Sequence, residues 1–246
     1  MVEYSVYTNI GIRIINEDAV KAIALDGNFG FIVCDGLGGQ GMGDKASKIV
    51  ADCFFDFFKS SEINESFLSK AFDYAQNTLM EEKSKLNIKK QMCTTAVALA
   101  INESTAYVGH IGDSRLYFFE DGKLIYKTLD HSLPQMLALQ GEIKEEDIAH
   151  HPDRNKLLRA FGTEWDKPMY TTAEPITLNK NQAFLLCTDG IWEWITEQQL
   201  GELLKSSSSA EEWLDKIIKN VEQSSKNAQR DNYSAVAVFI KGGYVA

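Results

Sequence analysis

The stretch Phe31-Ile32-Val33-Cys34-Asp35-Gly36-Leu37-Gly38-Gly39 sets a pattern that returns at several other places in the chain. Its four leading apolar residues predict a strand buried on both faces, and the predicted strand ends at a carboxylate. Glycines follow at positions 36, 38, 39, 41 and 43, where they allow close backbone approach and positive φ angles. A helix is predicted to begin near Gly43. A single Asp-Gly pair of this kind would be ordinary turn chemistry.

Four more carboxylates stand beside apolar runs in a similar way. They are, in chain order, Asp18 in Asn16-Glu17-Asp18, Asp113 in Gly112-Asp113-Ser114-Arg115, Asp189 in Thr188-Asp189-Gly190 and Asp231 in Arg230-Asp231-Asn232. Five carboxylates at predicted strand ends exceed what turns require. Hard divalent cations bind oxygen ligands, and two cations need several carboxylates that converge from different strands. The sequence therefore predicts a metal site where these strand ends meet.

The composition, with 246 residues, 44% hydrophobic and 24% charged, is that of an ordinary globular protein. No Pro-, Gly- or Ser-rich linker divides the chain, so we expect one domain over 1–246. The net charge of −10 argues against a nucleic-acid partner, which would select a basic face. No apolar run approaches about 18 residues and no signal-peptide pattern opens the chain, so we expect a cytoplasmic monomer without a membrane partner.

The order of apolar patterns predicts strands, two helices, strands, two helices and a final strand. The strands are expected at 4–7, 19–25, 29–34, 95–101, 105–110, 115–119, 124–127, 169–178, 183–187 and 233–240. Helical spacing predicts helices over 46–58, 68–79, 135–139, 196–204 and 213–221. Short links between 95 and 127 predict an antiparallel meander of four strands. Two antiparallel sheets packed together, with helices outside, would bury every apolar face, which makes the predicted class α+β.

Taken together, these segments resemble the metal-dependent protein phosphatases of type 2C, the PPM family, in their compact bacterial form. Each motif alone is weak, but their order and spacing along nearly the whole chain are specific. The motifs are Arg13, Asn16-Glu17-Asp18, Asp35-Gly36-Leu37-Gly38-Gly39, Thr94-Thr95, Gly112-Asp113-Ser114-Arg115, Asp130-His131-Ser132, Phe161-Gly162, Thr188-Asp189-Gly190 and Asp231-Asn232. The resemblance implies a four-layer α-β-β-α sandwich, which agrees with the fold expected from the patterns alone. It also implies hydrolysis of phosphoserine and phosphothreonine with two Mg²⁺ or Mn²⁺ ions.

The resemblance assigns the metal ligands residue by residue. Asp35 resembles the carboxylate that bridges both metals, and the backbone carbonyl of Gly36 would complete one site. Asp189 and Asp231 resemble the ligands of the other site. Asp113 resembles a ligand of a weaker third metal. Two metals lower the pKa of a shared water and stabilise charge on phosphoryl oxygens, so no protein nucleophile is needed.

The resemblance also implies roles around the metals. Asp18 belongs with the metal site, where it and Glu17 resemble the acidic pair that orders water. Arg13 resembles the phosphate clamp, since its planar fork matches two phosphate oxygens. Asn232 is expected to hold the metal ligands in position without binding a metal itself. Many eukaryotic members carry His where this chain has Leu37, and leucine cannot act as the general acid. His131, His150 and His151 are other candidates, each with a structural role as the alternative.

The polar segment at about 131–160 reads as an insertion over a sheet edge and resembles the family's flap. It either influences substrate choice or covers the edge passively, and the sequence leaves both readings open. The expected partner is a phosphorylated protein, with a serine/threonine kinase or its targets as candidates.

Two alternative functions stay open. One is the same chemistry on a small phosphorylated molecule. The other is a phosphatase-fold regulatory module that binds partners without catalysis. A degenerate module should have lost Asp35, Asp189 or Asp231, and all three are present. A haloacid dehalogenase-type phosphatase would need Asp-x-Asp after a strand of a parallel sheet, and the sequence predicts neither. An EF-hand would need alternating oxygen ligands within one loop of about 12 residues, and no stretch of the sequence supplies them.

Overall fold

Two antiparallel sheets form the middle of the protein, and helices cover their outer faces. The computed structural model describes residues 1–37, 42–226 and 230–242. The glycines expected to shape the backbone at positions 38, 39 and 41 lie outside the described residues. The predicted α+β sandwich of two antiparallel sheets is confirmed.

Twelve strands are present in the described ranges. In chain order they are β1 Val2–Asn9, β2 Asp18–Leu25, β3 Asn28–Leu37, β4 Cys93–Thr94, β5 Ala96–Asn102, β6 Thr105–Ile111, β7 Arg115–Glu120, β8 Lys123–Lys127, β9 Thr171–Thr172, β10 Ile176–Thr177, β11 Gln182–Cys187 and β12 Tyr233–Ile240. The first sheet has the order β1-β12-β11-β7-β8. The second has the order β10-β6-β5-β3-β2, with β4 beside β3 and β9 beside β6. The apolar β12 lies inside its sheet between β1 and β11, as its composition predicts.

The helices are α1 Gly43–Ser60, α2 Phe67–Lys85, α3 Leu133–Leu139, α4 Asp189–Trp192, α5 Glu197–Lys205 and α6 Ala210–Ser224, with a 3₁₀ helix at Glu145–His150. The apolar faces of α1 and α2 cover the second sheet, and those of α5 and α6 cover the first. The predicted capping box is present, since Gln199 N donates to Thr196 Oγ1 and Thr196 N donates to Gln199 Oε1. Among the helices of the described ranges, none is both long and apolar enough to span a membrane.

A separate apolar layer fills the space between the two sheets. It contains alternating residues of β3 and β5 from one side and of β7, β11 and β12 from the other. Phe118 and Phe184 stack here with their ring centroids 4.8 Å apart. Because strands of both sheets are covered on both faces, their ends are held firmly at the sandwich edge.

The predicted four-strand meander between 95 and 127 is wrong. β5 pairs with β6 and β7 pairs with β8, but β6 and β7 belong to different sheets. Packed sheets lie about 10 Å apart, and a three-residue link can span about that distance. A short link therefore does not distinguish a hairpin from a crossing between sheets. The crossing turn has Gly112 at a φ of +93° and carries Asp113.

Other differences are smaller. β3 continues past Asp35 to Leu37, because Gly36 pairs with Thr94 of β4. The expected strand over 169–178 is reduced to the two short strands β9 and β10. The helix expected over 135–139 begins earlier, at Leu133, where Ser132 caps it by accepting from Gln135 N. The helix α4 directly after β11 was not expected from the sequence.

Candidate metal centre

Asp18 and Asp35 lie opposite each other as cross-strand partners of β2 and β3. The hairpin turn at residues 26–27 sets this register, because the strands pair without interruption from Leu25–Asn28 to Asp18–Asp35. Thr188, at the end of β11 in the other sheet, donates its hydroxyl to Asp18 Oδ2 at 3.1 Å. The two carboxylates therefore stand where the edges of both sheets meet.

Hydroxyl groups fix the backbone of Asp35. Its N–H donates to Thr95 Oγ1 at 3.0 Å, and Thr94 Oγ1 donates to its carbonyl at 2.8 Å. Thr95 Oγ1 also shares a hydrogen bond of 2.7 Å with Ser114 Oγ in the turn that carries Asp113. The sequence had marked these hydroxyl residues only as motif members. Ser114 directly follows Asp113 in the sequence, and Thr94 and Thr95 lie opposite the end of β3. These positions are the signal that could have suggested that the hydroxyl groups support the carboxylates.

Glycine at positions 36 and 43 is explained by close backbone approach. A Cβ on Gly36 would lie 2.3 Å from the carbonyl oxygen of Gly43, and one on Gly43 would lie 2.6 Å from Glu17 Oε1. Gly36 N donates to the Glu17 carbonyl at 3.1 Å. The start of α1 thus packs directly against the end of β3, and a side chain at either glycine would separate them.

The other three predicted carboxylates reach the same edge from different elements. Asp113 lies in the crossing turn between the sheets, where Trp192 Nε1 donates to its carbonyl at 2.9 Å. Asp189 is the first residue of α4, immediately after β11. Asp231 lies two residues before the start of β12, and its Oδ1 accepts from Asn232 N at 2.8 Å. The structure therefore brings together five aspartates that are separated by up to 213 residues in the chain.

The electrostatics of this cluster are unfavourable without a cation. Burial and the charge of Asp189 raise the pKa of Asp18 to about 7, and burial together with Glu193 raises the pKa of Asp189 to about 7. Burial and the neighbouring aspartates raise the pKa values of Asp35 and Asp113 well above their usual range. A bound cation would offset this desolvation and mutual repulsion.

Unsatisfied carboxylate oxygens also fit a cation. Glu17 Oε1, Asp18 Oδ1 and Asp44 Oδ1 are buried and have no hydrogen-bond partner among the described residues. In the described part of the chain, no three His, Cys, Asp or Glu side chains are arranged as a cage that could hold a metal ion by themselves. Such a cage is not required, because Mg²⁺ keeps several waters and takes only one or two carboxylates directly. The donor set is entirely oxygen, which suits hard divalent cations.

Arg13 lies at the rim and donates from Nη2 to Asp231 Oδ2. The side chain is 59% exposed, so its remaining donors face the solvent side of the cleft. Its loop is held by Asn232, whose Nδ2 donates to the carbonyls of Ile10 and Ile15 at 2.9 and 3.1 Å. Asn232 Oδ1 accepts from Glu17 N at 2.8 Å. The supporting position expected for Asn232 therefore has a concrete basis.

The cleft enclosed by these groups has a volume of about 210 Å³. Its described lining consists of Arg13, Glu17, Asp35, Gly36, Leu37, Asp113, Asn155, Leu157, Asp189, Asp231 and Asn232. The four histidines are not part of this lining. His131 stacks on His110 with ring centroids 4.6 Å apart, and burial lowers the pKa of His131 to about 3. His131 is therefore unsuited to deliver a proton at neutral pH.

Known proteins resemble this chain in both sequence and fold. The chain is 33% identical to a serine/threonine phosphatase, stp, of Listeria monocytogenes. The match runs over 194 residues and covers 76% of each of the two chains. The crystal structure of the serine/threonine phosphatase Stp1 from Staphylococcus aureus superposes with a TM-score of 0.88, at 26% identity, over 98% of this chain and 96% of that one. The catalytic domain of the phosphatase PstP, solved in complex with two manganese ions, has the same fold, with a TM-score of 0.83 at 22% identity and 98% of both chains covered. The model of the Protein phosphatase 2C family matches residues 8–232, and the chain belongs to that family.

Proposed function

We propose that the carboxylate cleft removes phosphate from phosphoserine and phosphothreonine in proteins, using two divalent cations held by the residues described above. Family membership makes the chain a metal-dependent serine/threonine protein phosphatase. The observation that supports its assignment to this cleft is the convergence of five aspartates and Arg13 from both sheets.

We assign the cation ligands from the resemblance to the family and from their place at the cleft. Asp35 would contribute to both cation sites, the Gly36 carbonyl would complete one, and Asp189 and Asp231 would hold the other. When bound, two Mg²⁺ or Mn²⁺ ions lower the pKa of water and neutralise charge on the phosphoryl group. Asp113, in the crossing turn, is assigned to a weaker third site. The orphaned oxygens of Asp18 and Glu17 support their assignment to water ordering around the cations.

Within this scheme the protein's own groups position and stabilise the phosphate. Arg13 uses one nitrogen on Asp231, which leaves further guanidinium donors for two phosphate oxygens. Asn232 fixes the Arg13 loop and Glu17 together, so it controls where the guanidinium stands. Leu37 lines the cleft and has no proton to give. We therefore assign protonation of the leaving group to water in the cleft.

The segment 131–160 is proposed to be a flap within a single catalytic domain over 1–246. Its two ends meet, since Leu158 N donates to the His131 carbonyl at 2.7 Å and Leu133 N donates to the Lys156 carbonyl at 2.9 Å. Asn155 and Leu157 from its returning end line the cleft. This placement favours a role in substrate choice. The proposed partners are phosphorylated proteins, including a serine/threonine kinase or its targets. We propose that the protein acts on them as a monomer in the cytoplasm.

The deciding experiment is hydrolysis of a phosphothreonine peptide by protein stripped of metal with a chelator, then supplied with Mn²⁺ or Mg²⁺. Phosphate release that depends on added metal is the expected result. Metal binding without phosphate release from peptides or small phosphorylated molecules would favour a binding module. Release from small phosphorylated molecules alone would make those the substrates. Folded protein that neither binds metal nor releases phosphate would overturn the assignment of the cleft.

A further inference from the structure

The loop that carries Arg13 exposes an unusual number of isoleucines at the rim of the cleft. Ile12 and Ile14, on either side of Arg13, are 58% and 96% exposed. Ile10 and Ile15 are exposed as well. Large apolar side chains exposed side by side next to a binding cleft are candidates for contact with a ligand, because burying them releases water from apolar surface.

This exposure does not come from a loosely attached loop. Gly11 N donates to Asn9 Oδ1 at 2.9 Å, and Arg13 N donates to the Ile10 carbonyl at 3.3 Å. Ile12 N donates to the Arg230 carbonyl at 3.2 Å. Gly11 has a φ of +61°, and a Cβ there would lie 2.1 Å from the carbonyl oxygen of Asp231. The loop backbone is therefore seated on the segment before β12, and the isoleucines are presented in a fixed arrangement.

The position of Arg13 determines which part of a substrate these side chains can reach. Neighbouring Cα atoms are about 3.8 Å apart, and an extended peptide advances about 3.3 Å per residue. With the phosphate of a substrate on Arg13, the residues directly before and after the phosphorylated one lie within about 7 Å of it. Ile12 and Ile14 are likewise the residues directly before and after Arg13, so their Cα atoms lie about 3.8 Å from the Cα of Arg13. Leu157 of the flap lines the cleft itself, whereas Ile12 and Ile14 are exposed beside it on the loop of Arg13, so apolar side chains lie both in the cleft and at its rim.

We propose that Ile12 and Ile14 form an apolar rim that selects phosphoproteins with a large aliphatic residue next to the phosphothreonine or phosphoserine. The inference rests on the proposed function, since it places the phosphate on Arg13. It goes further by naming the chemistry of the flanking residue. Acidic groups dominate the cleft itself, so a preference for a flanking lysine is the competing outcome.

The test compares short phosphopeptides in the presence of Mn²⁺. A glycine peptide around phosphothreonine is compared with peptides that carry leucine or lysine directly before or after it, and kcat/KM is measured from phosphate release. We expect about a five- to tenfold higher kcat/KM for a leucine peptide than for the glycine peptide, which is the lower end of what a hydrophobic contact contributes to selectivity. The double variant Ile12→Ser, Ile14→Ser should bring this ratio close to one.

The control variant is Ile125→Ser, which removes an isoleucine of similar exposure, 56%, from the edge strand β8. Its leucine-to-glycine ratio should equal that of the unchanged chain. Equal rates on leucine and glycine peptides, a preference for lysine, or a leucine preference that survives the double variant would each overturn the inference. Thermal unfolding confirms that both variants are folded, which surface positions should allow.

N-acetyl-phosphothreonine amide, which lacks flanking residues, separates this inference from the proposed function. Metal-dependent hydrolysis of this compound without any leucine preference would contradict only the apolar rim. Absence of hydrolysis of this compound and of every peptide would contradict the phosphatase assignment of the cleft itself.

Discussion

The carboxylate cleft and the flap at 131–160 are adjacent but are held in place by different forces. The elements around the cleft belong to strands whose residues are almost fully buried, as in β11 and β12. The flap is buried less completely: Ile148 is its most buried apolar side chain, at 2% exposed, smaller apolar contacts surround it, and ion pairs with partly exposed partners add to them. Lys127 pairs with Glu145, and Arg154 Nε donates to Glu193 Oε1 at 2.8 Å.

This difference bears on the roles proposed for the two regions, catalysis in the cleft and substrate choice in the flap. Buried strands make the cleft costly to alter, because a packed core tolerates little change of volume or charge. Exposed ion pairs contribute about 0–1 kcal/mol each, so flap contacts can change without unfolding the protein. Arg115 and Asp130 connect the two regions. Their bidentate pair is buried, with distances of 2.8 and 2.7 Å, and the guanidinium lies 3.6 Å from the ring centroid of Trp192.

Asp35→Asn tests the cleft with the largest expected effect. It keeps the shape but removes the charge assigned to both cations, so turnover at saturating Mn²⁺ should fall about a thousandfold, or roughly 4 kcal/mol. Calorimetric metal titration and peptide hydrolysis measure the loss. Asp26→Asn is the matched control, because Asp26 is exposed in the turn of the same hairpin at a φ of 49°, which asparagine accepts. A near-normal rate for Asp35→Asn would remove its assignment as the bridge.

Asp130→Asn tests the junction between the regions. It leaves the buried Arg115 guanidinium without a charge partner, and the free energy of unfolding should fall by about 3–5 kcal/mol. Urea unfolding measures the change. A second variant, Arg115→Met with Asp130→Leu, removes both charges and should recover much of the stability. A loss below about 1 kcal/mol for Asp130→Asn would mean that the junction behaves like a surface pair.

The pH dependence of the metal-free protein tests the repulsion inside the cleft. The pKa values of Asp18 and Asp189 are about 7 in the folded state, against the model-compound value of 3.8. Between about pH 4 and 7 the folded state therefore binds more protons than the unfolded state, so stability falls as pH rises through this window. We expect Tm to be at least about 4 °C lower at pH 7.5 than at pH 5, which corresponds to about 1–2 kcal/mol.

Two controls accompany the pH series. Added Mn²⁺ should remove most of the decrease, because a cation stabilises the charged carboxylates. Asp189→Asn should flatten the profile without metal. A Tm that rises steadily from pH 5 to 7.5 in the metal-free protein would contradict the raised pKa values.

Arg154→Ala tests the flap with the smallest expected effect. It removes the contact to Glu193 on the segment that follows Asp189, and should cost at most about 1 kcal/mol of stability because Arg154 is 41% exposed. KM for a phosphoprotein should rise a few-fold, while kcat/KM for N-acetyl-phosphothreonine amide stays constant. Lys156→Ala is the control, since Lys156 pairs with Asp153 inside the flap. Equal losses on both substrates would favour passive cover of the sheet edge.

Much of the fold could be predicted because local patterns report burial. The hairpin at residues 26–27, the capping box at Thr196 and the apolar strand β12 all follow from residues close together in the chain. The five aspartates were also recognisable, because a carboxylate beside an apolar run is an uncommon position for a charge. The structure places them together, while their roles as ligands stay predictions to be tested by the variants above.

Local patterns along the chain are enough to indicate which residues are buried, which carboxylates stand beside strands and which family the motifs resemble. The three-dimensional structure was needed to show the strand order within each sheet, that β6 and β7 lie in different sheets, and that Thr188 of one sheet reaches Asp18 of the other. It also decided the pairing of Arg13 with Asp231 and the support of Asp35 by Thr95. The physical reason is that periodicity along a strand reports which faces are covered, whereas the choice of partner depends on packing between residues far apart in the chain.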